Sequence, residues 1–404
     1  MKINVIVCEY NPLHNGHKYL IDMSKKAHPT SITVCIMSGN FVQRGEPAIL
    51  DKWKRASWAL LAGADIVIEL PTFFALQSAD KFAFGAMKIA SLLNAEGYVS
   101  FGSENENVYM LKDIAEITLP KNEQFKELLR TNLSKNLPFA VSRKNAIIDC
   151  LKFKYDMQEL ESTITSSNCI LAIEYIKALI MLNSKLKPCA LKRQSSSYND
   201  TEIKGTFSSA TSIRQAIKNS IDFNDTVPDF VYKSLKENLL PSRDVFESMI
   251  LYKLRAMPNE ELAKILDVNE GLENLIKKAV DAYSTLPEII SHATNKRYTA
   301  SRIRRICYSA LLDITKQDYL KYNEISSPLY ARVLGFKETA KPLLKHIKEN
   351  SDIKLITSVK DALEDENISS LLELDLKATD VYTLALYGKD STAKRDFTEK
   401  IIIF

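Results

Sequence analysis

Four short, continuously apolar runs, each followed by a stretch with helical spacing, constrain the fold of this chain more than any other feature. Residues 3–7, 32–37, 65–70 and 97–101 are apolar on consecutive positions rather than on alternate ones, and residues 18–26, 52–62 and 80–94 between them repeat their apolar positions at helical intervals. Strands apolar on both faces need helices on both faces, which is the condition of a parallel sheet. The expected fold is therefore α/β, a Rossmann-like doubly wound parallel sheet, in which ligands bind beyond the carboxyl ends of the strands. Residues 9–13, 38–46, 69–73 and 102–105 all follow strands and are expected to converge on that edge. A further strand at 188–192 would bring Arg193 to the same place. Residues 106–180 read as largely helical, with a break at 133–138. From Pro241 onward, helices are expected at 244–254, 259–266 and 271–282. The tail from Tyr330 mixes strand-like 332–335 and 353–356 with helices. The chain thus divides into an ATP-binding catalytic part, 1–240, and a mainly helical C-terminal part, 241–404, with a small α/β tail subdomain packed beside the helices.

The first strand-to-helix turn carries the chemistry. The chain has five histidines, and two of them, His14 and His17, flank Gly16 where a helix begins. Residues at i and i+3 share a helix face, free N–H groups at a helix start favour anions, and glycine lets a ligand approach the backbone. A triphosphate fits such a place. A second hydroxyl-rich segment, Phe207-Ser208-Ser209-Ala210-Thr211-Ser212-Ile213-Arg214, precedes an expected helix over 213–221. Its hydroxyls offer caps and donors, and Arg214 offers a fork for phosphate oxygens.

With 404 residues, 46% of them apolar and 26% charged, the chain can bury a sizeable core and form two or three domains. The cysteines form no CxxC pair and the histidines no cluster, which argues against structural zinc and a disulfide framework. No metal site of the protein's own is expected. No apolar stretch approaches the ~20 residues of a membrane span, so a cytoplasmic enzyme is expected, with no membrane association and no stable protein partner. The net charge of +4 is mild, but Lys296-Arg297-Tyr298-Thr299-Ala300-Ser301-Arg302-Ile303-Arg304-Arg305 gathers five cations and an aromatic. If Thr299 caps a helix running to Leu312, then Ile303, Ile306 and Ala310 face a core. Lys296, Arg297, Arg302, Arg304 and Arg305 would then be candidates for RNA phosphates.

On HxGH and the 207–214 segment, the chain resembles the HIGH-motif nucleotidyltransferase superfamily. Further segments narrow the resemblance: 37–48 (MSGNFVQRGEPA), Lys52-Trp53 with Arg55, Glu69-Leu70-Pro71, Phe101-Gly102-Ser103-Glu104-Asn105, 167–175 (SNCILAIEY) and Lys192-Arg193. These are similar to the tRNA(Met) cytidine acetate ligase family, in family order over residues 1 to about 215. The resemblance implies that ATP and acetate give acetyl-adenylate and pyrophosphate. The acetyl group then passes to N4 of the wobble cytidine of elongator tRNA(Met), forming N4-acetylcytidine. Mg2+ is expected with the triphosphate. The resemblance also implies nucleotide contact along Val7, Cys8, Glu9, Tyr10, Asn11, Pro12, Leu13, His14, Asn15, Gly16, His17, Lys18, Tyr19 and Leu20. Ser208, Ser209, Thr211 and Arg214 would close over the β/γ end, Gly102 would leave room for adenosine, and Asn168 and Arg193 match nucleotide-binding positions. The catalytic group would be His14, His17 and Arg214.

Arg44, in a turn-forming loop, is expected to grip acetate or RNA phosphate, or else to pair with Glu46 at the surface. Lys52 and Gln43 are weaker candidates, and Trp53, Trp58, Phe73 and Phe74 read as packing residues. Three positions depart from the family pattern: Asn40 where histidine is common, Cys169 in place of an acidic or amide residue, and Asn199 after Tyr198. Two other classes share the motifs: a nucleotidyltransferase acting on a small phosphate ester, and a non-catalytic RNA-binding module. Pyrophosphate release separates the three: acetate-dependent without tRNA for the ligase, phosphate-ester-dependent for the transferase and absent for the module.

Overall fold

The computed structural model of the chain describes residues 1–194, 203 and 205–404. Tyr198 and Asn199 lie outside the described residues. Among the described residues ten strands occur: β1 Lys2–Cys8, β2 Ile32–Ser38, β3 Phe41–Val42, β4 Glu46–Pro47, β5 Ile66–Leu70, β6 Glu96–Ser103, β7 Leu186–Lys192, β8 Tyr330–Phe336, β9 Lys354–Ile356 and β10 Ile402–Ile403. β3 and β4 form a small antiparallel ribbon, and the other eight form one sheet in the order β10-β8-β5-β2-β1-β6-β7, with β9 also on β8. From β7 to β5 every pairing is parallel. The chain leaves β1 toward β2 and β5 and returns on its other side as β6. The order therefore reverses between β1 and β6, which is the switch point where such sheets bind ligands.

Alternation along the strands explains the double winding. β2 sends Val34 and Ile36 into one buried cluster, with Val5, Ile68 and Val99, and sends Cys35 and Met37 into a second, with Ile6, Cys8 and Val67. The first is closed by the helices Ala79–Leu92 and Ser167–Met181, the second by Asn15–Ala27 and Lys52–Ala62. Each fully buried aliphatic side chain contributes roughly 1.5–3 kcal/mol against exposure.

The tail departs from expectation. β8 pairs antiparallel with β5, from Ile66↔Phe336 to Glu69↔Arg332, and β9 and β10 run parallel to β8. The C-terminal strands thus extend the N-terminal sheet and do not form a subdomain beside the helices. β5 is buried along its whole length, so its free edge needs a partner, and β8, equally buried, supplies one. A fully enclosed ion cluster pins the junction. Lys52 Nζ lies 2.9 Å from Glu69 and 2.7 Å from Asp396, and Arg332 lies 3.2 Å from Glu69 and 2.5 Å from Asp396. Helices fill 243–322, including Arg243–Ala256, Leu286–Ala293 and Ala300–Leu312. Thr299 caps the last of these, and Ile303, Ile306 and Ala310 are fully buried, as the spacing predicts. Among the described residues no single helix is long and apolar enough to cross a membrane.

Candidate active site

β1 stays paired with β2 as far as Cys8↔Met37 but with β6 only as far as Val5↔Val99. Beyond that point the sheet opens into a cavity of about 210 Å3. Its walls are the segment from Val7 to Asn11, His14, His17 and Leu20, the ribbon residues Val42 to Arg44 with Glu46, Phe101 and Gly102, Asn168 and Arg193, and Ser209, Thr211 and Arg214. Arg55, fully buried, staples the floor by donating to the carbonyls of Glu9 (2.7 Å), Ser38 (3.0 Å), Leu50 (2.9 Å) and Gly39.

The two histidines are held reciprocally. His14 is the N-cap of helix Asn15–Ala27. Its Nδ1 accepts from Gly16 N at 3.1 Å, while His17 Nδ1 accepts from His14 N at 3.3 Å, and the rings stack with centroids 3.7 Å apart. An Nδ1 that accepts carries no proton, so the neutral ring keeps its proton on Nε2. Burial, followed by the charges of His17 and Arg193, pushes the His14 imidazole well below its ordinary value. Burial and Arg193 push His17 down to about 3. Both rings are therefore neutral Nε2–H donors at physiological pH.

The hydroxyl motif closes one side. Ser209 caps helix Ala210–Lys218, accepting from Ser212 N at 3.0 Å. Arg214 Nη1 donates to the carbonyl of Asn11 at 2.7 Å, and its Nη2 lies 3.5 Å from Thr211 Oγ1 and 3.5 Å from Glu46. Asn15 reaches the same region, donating to the carbonyls of Thr206 (3.2 Å) and Asp225 (2.8 Å). Chain segments 191 to 210 residues apart are thus fixed to each other.

Glu104 organises the other side. It accepts from Asn168 at 2.6 Å and Ser166 at 2.5 Å and lies 3.7 Å from Arg193, whose Nη1 donates to Asn168 Oδ1 at 3.2 Å. Burial opposes its charge, but these hydrogen bonds and Arg193 outweigh burial and hold its carboxyl below the ordinary range. A Cβ on Gly102 would lie 3.0 Å from Arg193 Cγ, so glycine leaves that arginine its place. Glu9, whose Oε1 accepts from Gln43 N at 2.7 Å, is pushed up by burial against the pull of Gln43, Arg214, Arg55 and Arg44.

Other expected residues stand elsewhere. Pro12 and Leu13 are buried beneath the turn, Lys18 pairs with Asp22 at 2.5 Å on the helix surface, and Tyr19 packs edge-on to Phe207. Ser208 is buried and donates to Gly205 O at 2.9 Å. Residues 69–73 do not reach the cavity: β5 lies two strands from β1, and the tail covers its end. Lys52 belongs to the ion cluster, Trp53 lies buried beneath Lys52 and Arg395, and Trp58, Phe73 and Phe74 are core residues. Asn40 ties Lys52 N to Thr379, and Cys169 lies buried against Ser103 and Glu104.

The basic segment is largely engaged within the chain. Arg305 is buried, with Asp267 at 3.8 Å, so it does not splay toward solvent. Its position on the helix turns it inward with Ile306. Arg302 donates to the carbonyl of Asp267 at 2.7 Å, Arg297 pairs with Glu270, and Arg304 pairs with Glu46 at 2.9 Å; Lys296 is exposed. Arg44 lines the cavity, while Glu46 bridges Arg214 and Arg304. Glu46, Glu104 and the apolar wall of Phe82, Phe101, Leu171 and Tyr175 were not singled out as ligand residues. Glu104 had one usable signal, its place directly past a strand. Among the described residues no group of three His, Cys, Asp or Glu side chains is arranged to hold a metal ion.

The model of the HIGH Nucleotidyl Transferase family matches residues 1–397. The chain is 42% identical to the tRNA(Met) cytidine acetate ligase of Caldanaerobacter subterraneus subsp. tengcongensis over 98% of both chains. It is 41% identical to that of Thermoanaerobacter sp. strain X514 over the whole of both. Its fold superposes on apo Thermotoga maritima TmcAL with a TM-score of 0.93 at 30% identity. It also superposes on the same protein bound with alpha-thio ATP, with a TM-score of 0.90 at 28% identity, each over the full length of both chains. The chain belongs to the HIGH nucleotidyl transferase family and, within it, to the tRNA(Met) cytidine acetate ligases.

Proposed function

We propose that this chain is an ATP-dependent ligase that joins acetate to N4 of the wobble cytidine of elongator tRNA(Met). The observation that carries the reading is the convergence of His14 and His17, Ser209 to Arg214, and Asn168 with Arg193 on one cavity at the sheet's switch point. Acetate is a poor acyl donor because its leaving group would be oxide. In the first step an acetate oxygen attacks the α-phosphorus of ATP, and the bond to the β-phosphate oxygen breaks with its electron pair on pyrophosphate. In the second, N4 attacks the acetyl carbon, the carbon–oxygen bond to AMP breaks, and N4 loses one proton.

The first step asks the protein for charge stabilisation and alignment and for no base, since acetate is already ionised. Neutral His14 and His17 donate through Nε2–H to phosphate oxygens, and the free N–H groups of two helix starts, at Asn15 and Ala210, add to the field. Arg214 and Thr211 hold the β/γ end, Asn168 and Arg193 hold the nucleoside side, and Arg44 takes acetate or an RNA phosphate. Among the described residues no carboxylate, histidine or cysteine cluster is arranged to hold a metal ion, so magnesium would come with the triphosphate and would offset part of its charge. On this reading residues 1–240 supply the catalytic part and 241–404 much of the tRNA contact, and a cytoplasmic enzyme is expected.

Purified protein incubated with ATP, magnesium, isotopically labelled acetate and tRNA lacking the modification tests the reading. Labelled N4-acetylcytidine is expected by nucleoside mass spectrometry, lost with His14→Ala or Arg214→Ala. Unlabelled cytidine from folded, ATP-binding protein would exclude the ligase.

A further inference from the structure

We propose that a second cleft, sharing a wall with the ATP cavity, docks the acceptor cytidine, and that Glu46 on that wall reads its exocyclic amine. The proposal rests on the ligase reading and adds the place from which the acceptor enters. The cleft, about 510 Å3, lies between the ribbon and the helices Arg243–Ala256, Leu286–Ala293 and Ala300–Leu312. Arg243, Arg304 and Tyr308 line it together with an apolar strip of Leu286 and Ile290. Glu46 is the charged residue common to both cavities.

The chemistry of this wall suits cytosine. Glu46 gives Oε1 to Arg304 at 2.9 Å and Oε2 to Arg214 at 3.5 Å. A carboxylate has about four lone-pair sites, so it can still accept another hydrogen bond. Cytosine presents an N4 amine donor there, the group that Glu and Asp side chains read, whereas uracil presents an acceptor oxygen that a carboxylate repels. Arg243 is exposed, which places positive charge beside the entrance for backbone phosphates. The floor is firm: Tyr308 is buried, packed against Phe41 and Phe246 at 5.6 and 6.1 Å. The ribbon lies close against these helices, since a Cβ on Gly45 would lie 2.6 Å from the backbone nitrogen of Arg305, and the Glu46–Arg304 pair ties the two together. An amine held by Glu46 stands at the partition, where an adenylate made on one side meets an acceptor from the other.

Arg243→Glu and Ala300→Trp alter the cleft from its rim without touching the ATP cavity. Acetate-dependent ATP–pyrophosphate exchange without RNA is expected within about twofold of wild type in both, while the KM for tRNA in acetyl transfer rises at least about tenfold. Wild type is expected to bind an elongator tRNA(Met) transcript with cytidine at the wobble position about tenfold more tightly than one with uridine, and Glu46→Ala to abolish that preference. Transfer at wild-type KM in both cleft variants, or a preference that survives Glu46→Ala, would overturn the proposal. Exchange lost in step with transfer in both variants would overturn it too, since the effect would not be confined to the acceptor. Absence of acetate-dependent exchange in the wild type would instead remove the ligase reading itself.

Discussion

Lowering the pH separates the neutral-histidine arrangement from one in which imidazolium ions bind the phosphates. In the folded chain the His17 ring is pushed down to about 3 by burial and by Arg193, and His14 is pushed well below its ordinary value by burial, His17 and Arg193. At pH 5.5 a group with a pKa of 3 is charged in roughly 0.3% of molecules, whereas an ordinary histidine near 6.5 is about 90% charged. The kcat/KM of acetate-dependent ATP–pyrophosphate exchange should therefore show no inflection from these groups between pH 8 and 5.5. In histidine-labelled protein, NMR should find both rings neutral, with the proton on Nε2, across that range. The unfolded chain takes up protons below about 6.5 and the folded chain does not, so stability is complete above 6.5 and falls as pH drops toward 3. For His17 the slope is ~1.4 kcal/mol per pH unit over that window, and His14 adds to it in the same direction. Removing one donor, as in His14→Ala, should cost about 10²–10³ in exchange rate and ~1 kcal/mol of stability from the lost cap. A midpoint between 6 and 7 for either ring in the free protein would refute the reasoning. So would an activity loss over pH 7 to 5.5 that disappears in His14→Asn or His17→Asn.

Lys52→Met leaves Glu69 and Asp396 sharing Arg332 alone, so unfolding in urea should show a loss of about 3–5 kcal/mol with exchange per folded molecule retained; normal stability with lost exchange would instead make Lys52 a ligand residue. Gly45→Ala meets both a positive φ of 71° and the Arg305 backbone, and should lower stability by about 1–3 kcal/mol while raising the KM for tRNA more than that for ATP. Asp375, fully buried beside Tyr330 and raised to about 7 by burial and by Glu69, contributes stability that is present at low pH and lost as pH rises through 7. Asp375→Asn should remove that component from the pH dependence of thermal unfolding.

Local physics wrote the parts of this protein that the sequence makes legible. Continuous apolar runs identified β1, β2, β5 and β6. HxGH located a helix start, and Thr299 with the spacing of Ile303, Ile306 and Ala310 placed a helix within a residue of its ends. Each of these depends on contacts a few residues apart, or on a face that must be buried whatever covers it. Three things depended on distant partners. The tail strands look like a small unit of their own until β5 is seen to need an edge partner, which β8 supplies from 260 residues away. Lys52 reads as a ligand candidate, Glu69 as the end of a strand and Arg332 as part of a strand-like run, yet with Asp396 they form one closed ion cluster, because only the tertiary fold brings their charges into balance away from water. The basic segment reads as a phosphate-binding face, but the packing of its helix turned Arg305 inward and gave Arg304 to Glu46. Sequence determined which residues carry charge and where the backbone changes direction. The tertiary structure decided which of those charges are already spent on each other, since a charge inside a fold must find its partner in space and not along the chain.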